Sequence, residues 1–181
     1  MKMLDQLPFQ DVDSGDYNII IETIKGSRNK VSYDEDLKLF KLKGILPAGA
    51  SFPYDFGFIP STLGEDGDPV DVLLLMDEPV FPGCLVPARL IGVIAAEQTE
   101  EGETVRNDRL LAVSSVSRTH QSIQDIKDLD EHLLTEIEHF FRSYNVMRGA
   151  EFNVVGRHGA KQAQKLVAEG GKMYQEKVNK Q

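Results

Sequence analysis

Three aspartates, Asp66, Asp68 and Asp71, fall within six residues in the stretch "EDGDPVDVLLLMD" at 65–77. Carboxylates this crowded repel one another, so bringing them to one point requires positive charge. Gly67 permits unusual backbone angles, and Pro69 removes a donor and holds Asp68 extended. A turn of this kind brings side chains 66, 68 and 71 toward one place. A regular strand cannot, because 66 and 68 share a face and 71 lies opposite. Oxygen ligands without nearby His or Cys suit a hard divalent cation, magnesium above all. The alternative is three solvated aspartates with Asp66-Gly67 as turn residues. A calcium loop of the EF-hand type does not fit, since its fifth and sixth positions counted from Asp66 are Val70 and Asp71.

The elements that must hold this cluster follow from the pattern around it. Tyr17 to Ile24, Val72 to Met76, Cys84 to Ala96 and Arg109 to Ser115 read as strands from their β-branched and apolar content. Val31 to Leu42 reads as two short strands around Asp34-Glu35-Asp36. Residues 47–64, with three prolines and three glycines, read as mostly loop, and residues 97–108 as an acidic loop. Ile126, Leu129, Leu133, Ile137, Phe140, Phe141 and Tyr144 form one helical stripe, with Asp125 or Asp128 as the cap and Gly149 just beyond. A second helix from about Gly159 is expected to be interrupted at Gly170-Gly171. Strands followed by helices predict an α+β chain, predominantly β, built as one domain over 1–181. A small closed five-stranded barrel of OB type, flanked by the two helices, would hide the edges of short strands. Residues 1–16 form an irregular arm and 159–181 a helical tail.

Composition narrows the partners. The chain has 181 residues, of which 41% are apolar and 27% charged, and a net charge of -9. That balance disfavours nucleic acid and anionic membranes. An anionic ligand must instead be held locally, by a metal or by clustered cations. Cys84 is the only cysteine, which excludes an intrachain disulfide and suits a reducing compartment. The first residues lack an apolar core of signal-peptide length, and a cytoplasmic location is expected. The four histidines, His120, His132, His139 and His158, have no metal-ligand spacing, and no nucleotide-binding loop or nucleophile elbow is present.

"DGDPVDV" resembles the signature of the family I soluble inorganic pyrophosphatases. "IETIKGSRNK", "FPYDFGFIPSTLGEDGDPVDVL" and "IEHFFRSYN" resemble that family's flanking segments, so the likeness runs over residues 17–156. It implies an OB-like barrel that hydrolyses pyrophosphate to two phosphates with several magnesium ions, or manganese in their place. It implies Asp66 and Asp71 as metal ligands and Asp68 as ligand or base beside the attacking water. Lys30, Tyr144 and Arg109 would hold phosphate, and Glu22 would orient Lys30 or a metal-bound water. A homo-oligomer, hexameric by resemblance, is expected.

The pattern departs from the family in places. Ser32 stands where a glutamate is usual, Gly44 where an arginine is, and Phe52 and Phe56 where tyrosines are. Asn107 replaces an aspartate, Arg109 a lysine and Asn145 a lysine. Asp108 is a candidate substitute metal ligand, with glutamates 97, 100, 101 and 103 also close in sequence. Lys43, Arg148 and Arg157 are candidate substitute cations. These changes leave open another phosphoanhydride as substrate, or a catalytically weakened phosphate- or metal-binding paralogue.

Overall fold

The computed structural model describes residues 4–180, with only the backbone at residue 5. Residues 1–3 of the expected arm and residue 181 of the tail lie outside the described residues. The strands are β1 (Tyr17–Thr23), β2 (Asn29–Asp34), β3 (Leu39–Ile45), β4 (Asp55–Phe58), β5 (Asp71–Leu75), β6 (Leu85–Glu100), β7 (Glu103–Arg106), β8 (Arg109–Ser114) and β9 (Glu151–Gly159). The helices are α1 (Glu131–Met147) and α2 (Ala160–Asn179).

Five strands pair in a ring. β1 pairs with β4, β4 with β5, β5 with β8, β8 with β6, and β6 returns to β1. The β5–β8 contact is parallel and the others are antiparallel. This is the α+β, predominantly β class expected from the sequence. β7 and β9 add to β6 outside the ring, and β2 and β3 form a separate hairpin.

Every residue of β8 and residues 72–75 of β5 are buried. Alternation sends Leu73, Leu75, Leu111 and Val113 to one apolar cluster and Val72, Leu74, Leu110 and Ala112 to another. Helix α1 supplies Leu134, Ile137 and Phe141 to the first; α2 supplies Ala163 and Val167 to the second. The near-continuous apolar run at 72–76 is thus explained by burial on both faces. Each fully buried Leu or Ile contributes roughly 1.5–3 kcal/mol.

Four details differ from expectation. Helix α1 starts at Glu131, capped by Asp130, whose carboxylate accepts from His132 N at 2.8 Å. Asp125 instead caps a short 3-10 turn at Ile126–Asp128, and Leu129 is extended, which separates the two. Helix α2 runs through Gly170-Gly171 without a break. A Cβ on Gly170 would lie 2.9 Å from Leu63 O, and Leu63 N donates to Gly170 O at 3.0 Å. These glycines let α2 approach the loop before the aspartate cluster. Residues 97–108 are a β6–β7 hairpin turning at Glu101-Gly102, where both φ values are positive. Strand β9, which the sequence reading lacked, pairs with β6 from Gly92 to Thr99. No helix among the described residues is long and apolar enough to cross a membrane.

Candidate active site

The aspartate turn is built by backbone hydrogen bonds. Gly64 N donates to Asp68 O at 2.8 Å and Gly67 N to Gly64 O at 3.1 Å. Gly67 has φ +85, a conformation that favours glycine. Asp68 N donates to Asp66 Oδ1 at 3.2 Å, and a Cβ at position 64 would meet that same oxygen at 2.9 Å. Asp71 opens β5, where pairing with Phe58 fixes its direction.

A cavity of about 890 Å³ lies against this turn. Its lining includes Asp66, Asp68, Asp71, Glu22, Lys30, Lys43, Arg109 and Tyr144, so eight of the nine residues selected from the sequence meet in one place. Asp108 is the exception. Its Oδ1 accepts from Ala96 N at 2.9 Å and from Arg106 Nε at 2.6 Å, and it faces a smaller neighbouring cavity of about 100 Å³. Asn107, one residue earlier, lines both cavities.

The charges divide the cavity. Arg109, 5% exposed, reaches Asp71 Oδ2 at 2.8 Å and lies 5.3 and 5.5 Å from the ring centres of Phe141 and Phe152. Lys30 Nζ is 3.4 Å from Glu22 Oε2 and stands 4.2 Å from the centre of the Phe56 ring. Phe56 and Phe52, in places where the resemblance expects tyrosines, therefore form an aromatic bed for that ammonium. Glu22 is buried and also accepts from Tyr33 N at 2.7 Å. Burial raises its pKa, opposed by Lys30. Arg148 Nη1 donates to Tyr144 Oη at 3.5 Å, which leaves the phenol proton available to a ligand. Burial raises the Tyr144 pKa.

The three aspartates share the cavity but do not close on one point. Among the described residues no set of three or more His, Cys, Asp or Glu side chains is assembled to hold a metal ion. The physical reason is visible in the pairing: Arg109 draws Asp71, while uncompensated carboxylates repel. The donor chemistry nevertheless fits a hard divalent cation, since the turn offers carboxylate oxygens alone. Asp66 opens to the cavity, yet loss of water around its carboxyl, and then the charge of Asp71, push its pKa up to about 6. Asp68 is raised by the same two causes in the same order. Arg109 near Asp66, and Lys177, Lys43 and Arg109 near Asp68, offset this only in part.

The altered positions are distributed unevenly. Gly44 lines the cavity, and a Cβ there would meet nothing within 4 Å. Lys43 and Arg148 line it as well, as do Ser32, Glu100 and Glu103; Glu97, Glu101 and Arg157 do not. Arg157 is held by Glu138 and Glu131, each at 2.6 Å. Asn145 is fully buried and donates to Phe141 O at 2.8 Å, so position 145 is no longer part of the cavity. Sequence reasoning missed Gln98, whose only signal was its place on the strand leading into the acidic hairpin. It also treated Asp34, Glu35 and Asp36 as a plain turn, although all three line the cavity.

An OB-like ring carrying a carboxylate turn on one wall and lysine, arginine and tyrosine around it defines a class of proteins built to handle phosphate groups with divalent cations. The inorganic pyrophosphatase family model matches residues 19–175, and the chain belongs to that family. It is 37% identical over 171 residues to an inorganic pyrophosphatase of a Nostoc species, covering 94% of this chain and 98% of that one. A crystal structure of the inorganic pyrophosphatase from Thermus thermophilus superposes with a TM-score of 0.88 at 36% identity, covering 96% of this chain and 99% of that one. The Helicobacter pylori inorganic pyrophosphatase gives 0.83 at 32% identity, with 92% and 97% covered.

Proposed function

We propose that this chain hydrolyses inorganic pyrophosphate to two orthophosphates. The observation that carries the reading is one cavity in which the Asp66-Asp68-Asp71 turn meets Lys30, Lys43, Arg109, Arg148 and Tyr144. Membership of the inorganic pyrophosphatase family supports it.

Asp66 and Asp68, with the Asp71 oxygen that Arg109 leaves free, would hold magnesium, or manganese in its place. Several such ions are expected. Once bound, they neutralise the substrate and lower the pKa of a water poised for in-line attack. The chain's own groups do the rest. Asp68, its pKa raised, accepts a proton from the attacking water more readily than an ordinary aspartate does. Lys30, oriented by Glu22, binds one phosphoryl group. Arg109 presents a planar fork suited to phosphate oxygens. Tyr144 donates its hydroxyl to the phosphate that departs. Action in the cytoplasm and a homo-oligomer, hexameric by resemblance, complete the proposal.

The test is phosphate release from pyrophosphate with magnesium, for the parent, Asp68→Asn and Lys30→Met. The parent should exceed both by at least about a hundredfold, the range of one lost acid–base or electrostatic contributor. A parent no faster than its variants overturns the reading.

A further inference from the structure

The cavity wall made by β6, β7 and β8 carries a run of hydrogen bonds whose direction is fixed at both ends. Arg109 Nη1 donates to Asn107 Oδ1. Asn107 Nδ2 donates to Gln98 Oε1 at 3.0 Å, and Gln98 Nε2 donates to Glu100 Oε2 at 3.4 Å. All four residues line the main cavity. A guanidinium can only donate and a carboxylate can only accept, so neither amide can be turned over without losing a bond.

Arg109 anchors this run. The same Nη1 that meets Asn107 reaches Asp71 Oδ2 at 2.8 Å, Asn107 O at 3.3 Å and Asp108 O at 3.2 Å. The residue is buried against Phe141 and Phe152. Arginine does not release its proton at any accessible pH, so this charge is permanent.

A cation approaching Arg109 finds the neighbouring oxygens occupied. The side-chain oxygens of Asn107 and Gln98 and one oxygen of Asp71 already accept from the chain's own donors. Asp108 is turned away to Ala96 N and Arg106. Two neutral amides and a guanidinium therefore stand between Asp71 and the Glu100 carboxylate at the acidic end of the run, and Glu103 is the wall's other carboxylate. Asp68 and the Asp66 oxygen that does not accept from Asp68 N lie on the turn.

We propose that Arg109, held by the Asn107–Gln98–Glu100 run, takes the place of a divalent cation beside Asp71, so that cation binding concentrates on the Asp66–Asp68 turn. This rests on reading the cavity as a cation-assisted phosphate site, but the test reads bound ions and not turnover.

The intact chain is titrated with Mn²⁺ alone, and free Mn²⁺ is read by electron paramagnetic resonance. Arg109→Gln should bind one more ion per chain than the parent, because Asp71 is released. Arg109→Lys keeps the charge and should match the parent. Arg148→Gln removes a positive charge from the same cavity without touching Asp71, and should also match the parent. A folded Arg109→Gln chain with the parent's count overturns the proposal, and so does an equal gain in Arg148→Gln. Should Arg109→Gln not fold, pyrophosphate binding to the parent in excess chelator decides. A fixed charge keeps that binding within about a hundredfold of its strength with Mn²⁺, the scale of one lost charge-assisted contact; complete loss overturns the proposal.

Discussion

Lys30 Nζ and Glu22 Oε2 lie 3.4 Å apart at the base of the cavity, and both residues are largely shielded from water. Glu22 is held from the other side by Tyr33 N, so it is the fixed member and Lys30 the member it aims. Glu22→Gln keeps an oxygen for Tyr33 N and removes the charge that orients the ammonium. Losing a charge-assisted contact of this kind costs roughly 1.5–3 kcal/mol. The expected fall in kcat/KM for pyrophosphate is therefore about tenfold to a hundredfold. Steady-state kinetics decides it, and a change of less than about twofold, a difference of only ~0.4 kcal/mol, would remove Glu22 from the positioning role.

Asp66 gives a pH prediction with a definite sign. Its pKa rises on folding from the ordinary 3.8 to about 6. Between those values the folded chain holds a proton that the unfolded chain has released. This group's contribution to stability therefore falls as pH rises from about 4 to about 6, then levels off. A divalent cation competes with that proton for the same oxygens. Magnesium should raise the melting temperature more at about pH 7.5 than at about pH 5. Equal shifts at both pH values would place the binding carboxylate elsewhere.

Much of the site was legible because its residues sit in local patterns. The turn at 64–71 shows itself through Gly67 and Pro69, and β5 and β8 through unbroken apolar runs. What could not be read depends on register. Gln98 and Asn107 meet because Ala96 accepts from Asn107 N while β6 folds back along β7. Nothing in a nine-residue spacing fixes that. Strand β9 hid because "EFNVVGRHG" buries only Phe152 and contains two glycines, so it shows no apolar alternation. The glycines at 170 and 171 signal a helix break locally; tertiary contact with Leu63, Val70 and Phe9 overrides that preference.

Gly57 offers a sharp test of the ring itself. It pairs with Ile21 on one side and Val72 on the other. A Cβ there would lie 2.0 Å from Ile20 O, which is backbone and cannot swing aside. Gly57→Ala should lose about 3 kcal/mol or more, at the severe end for a single substitution. Urea unfolding measures it; a loss below about 1 kcal/mol, the ordinary size for a point mutation, would show that β1 and β4 part easily at this point.

Arg148 and Arg157 separate binding from stability. From the sequence, each was a candidate to replace a missing pocket cation. Arg148 lines the cavity at the end of α1 and leans over the Tyr144 ring, 5.4 Å from its centre. Arg157 lies on β9, outside the lining, and joins Glu131 and the buried Glu138 of α1. Those two carboxylates raise its pKa further above the ordinary arginine value, Glu138 first. Arg148→Ala should therefore raise KM for pyrophosphate about tenfold with the melting temperature nearly unchanged, since a contact to a charged ligand is lost at an exposed residue. Arg157→Ala should leave KM within about twofold and destabilise by roughly 1–3 kcal/mol, because Glu138 keeps only Arg142 at 4.0 Å. The reverse pattern in kinetics and thermal melting would mean that the cavity reorganises around Arg157 when substrate binds.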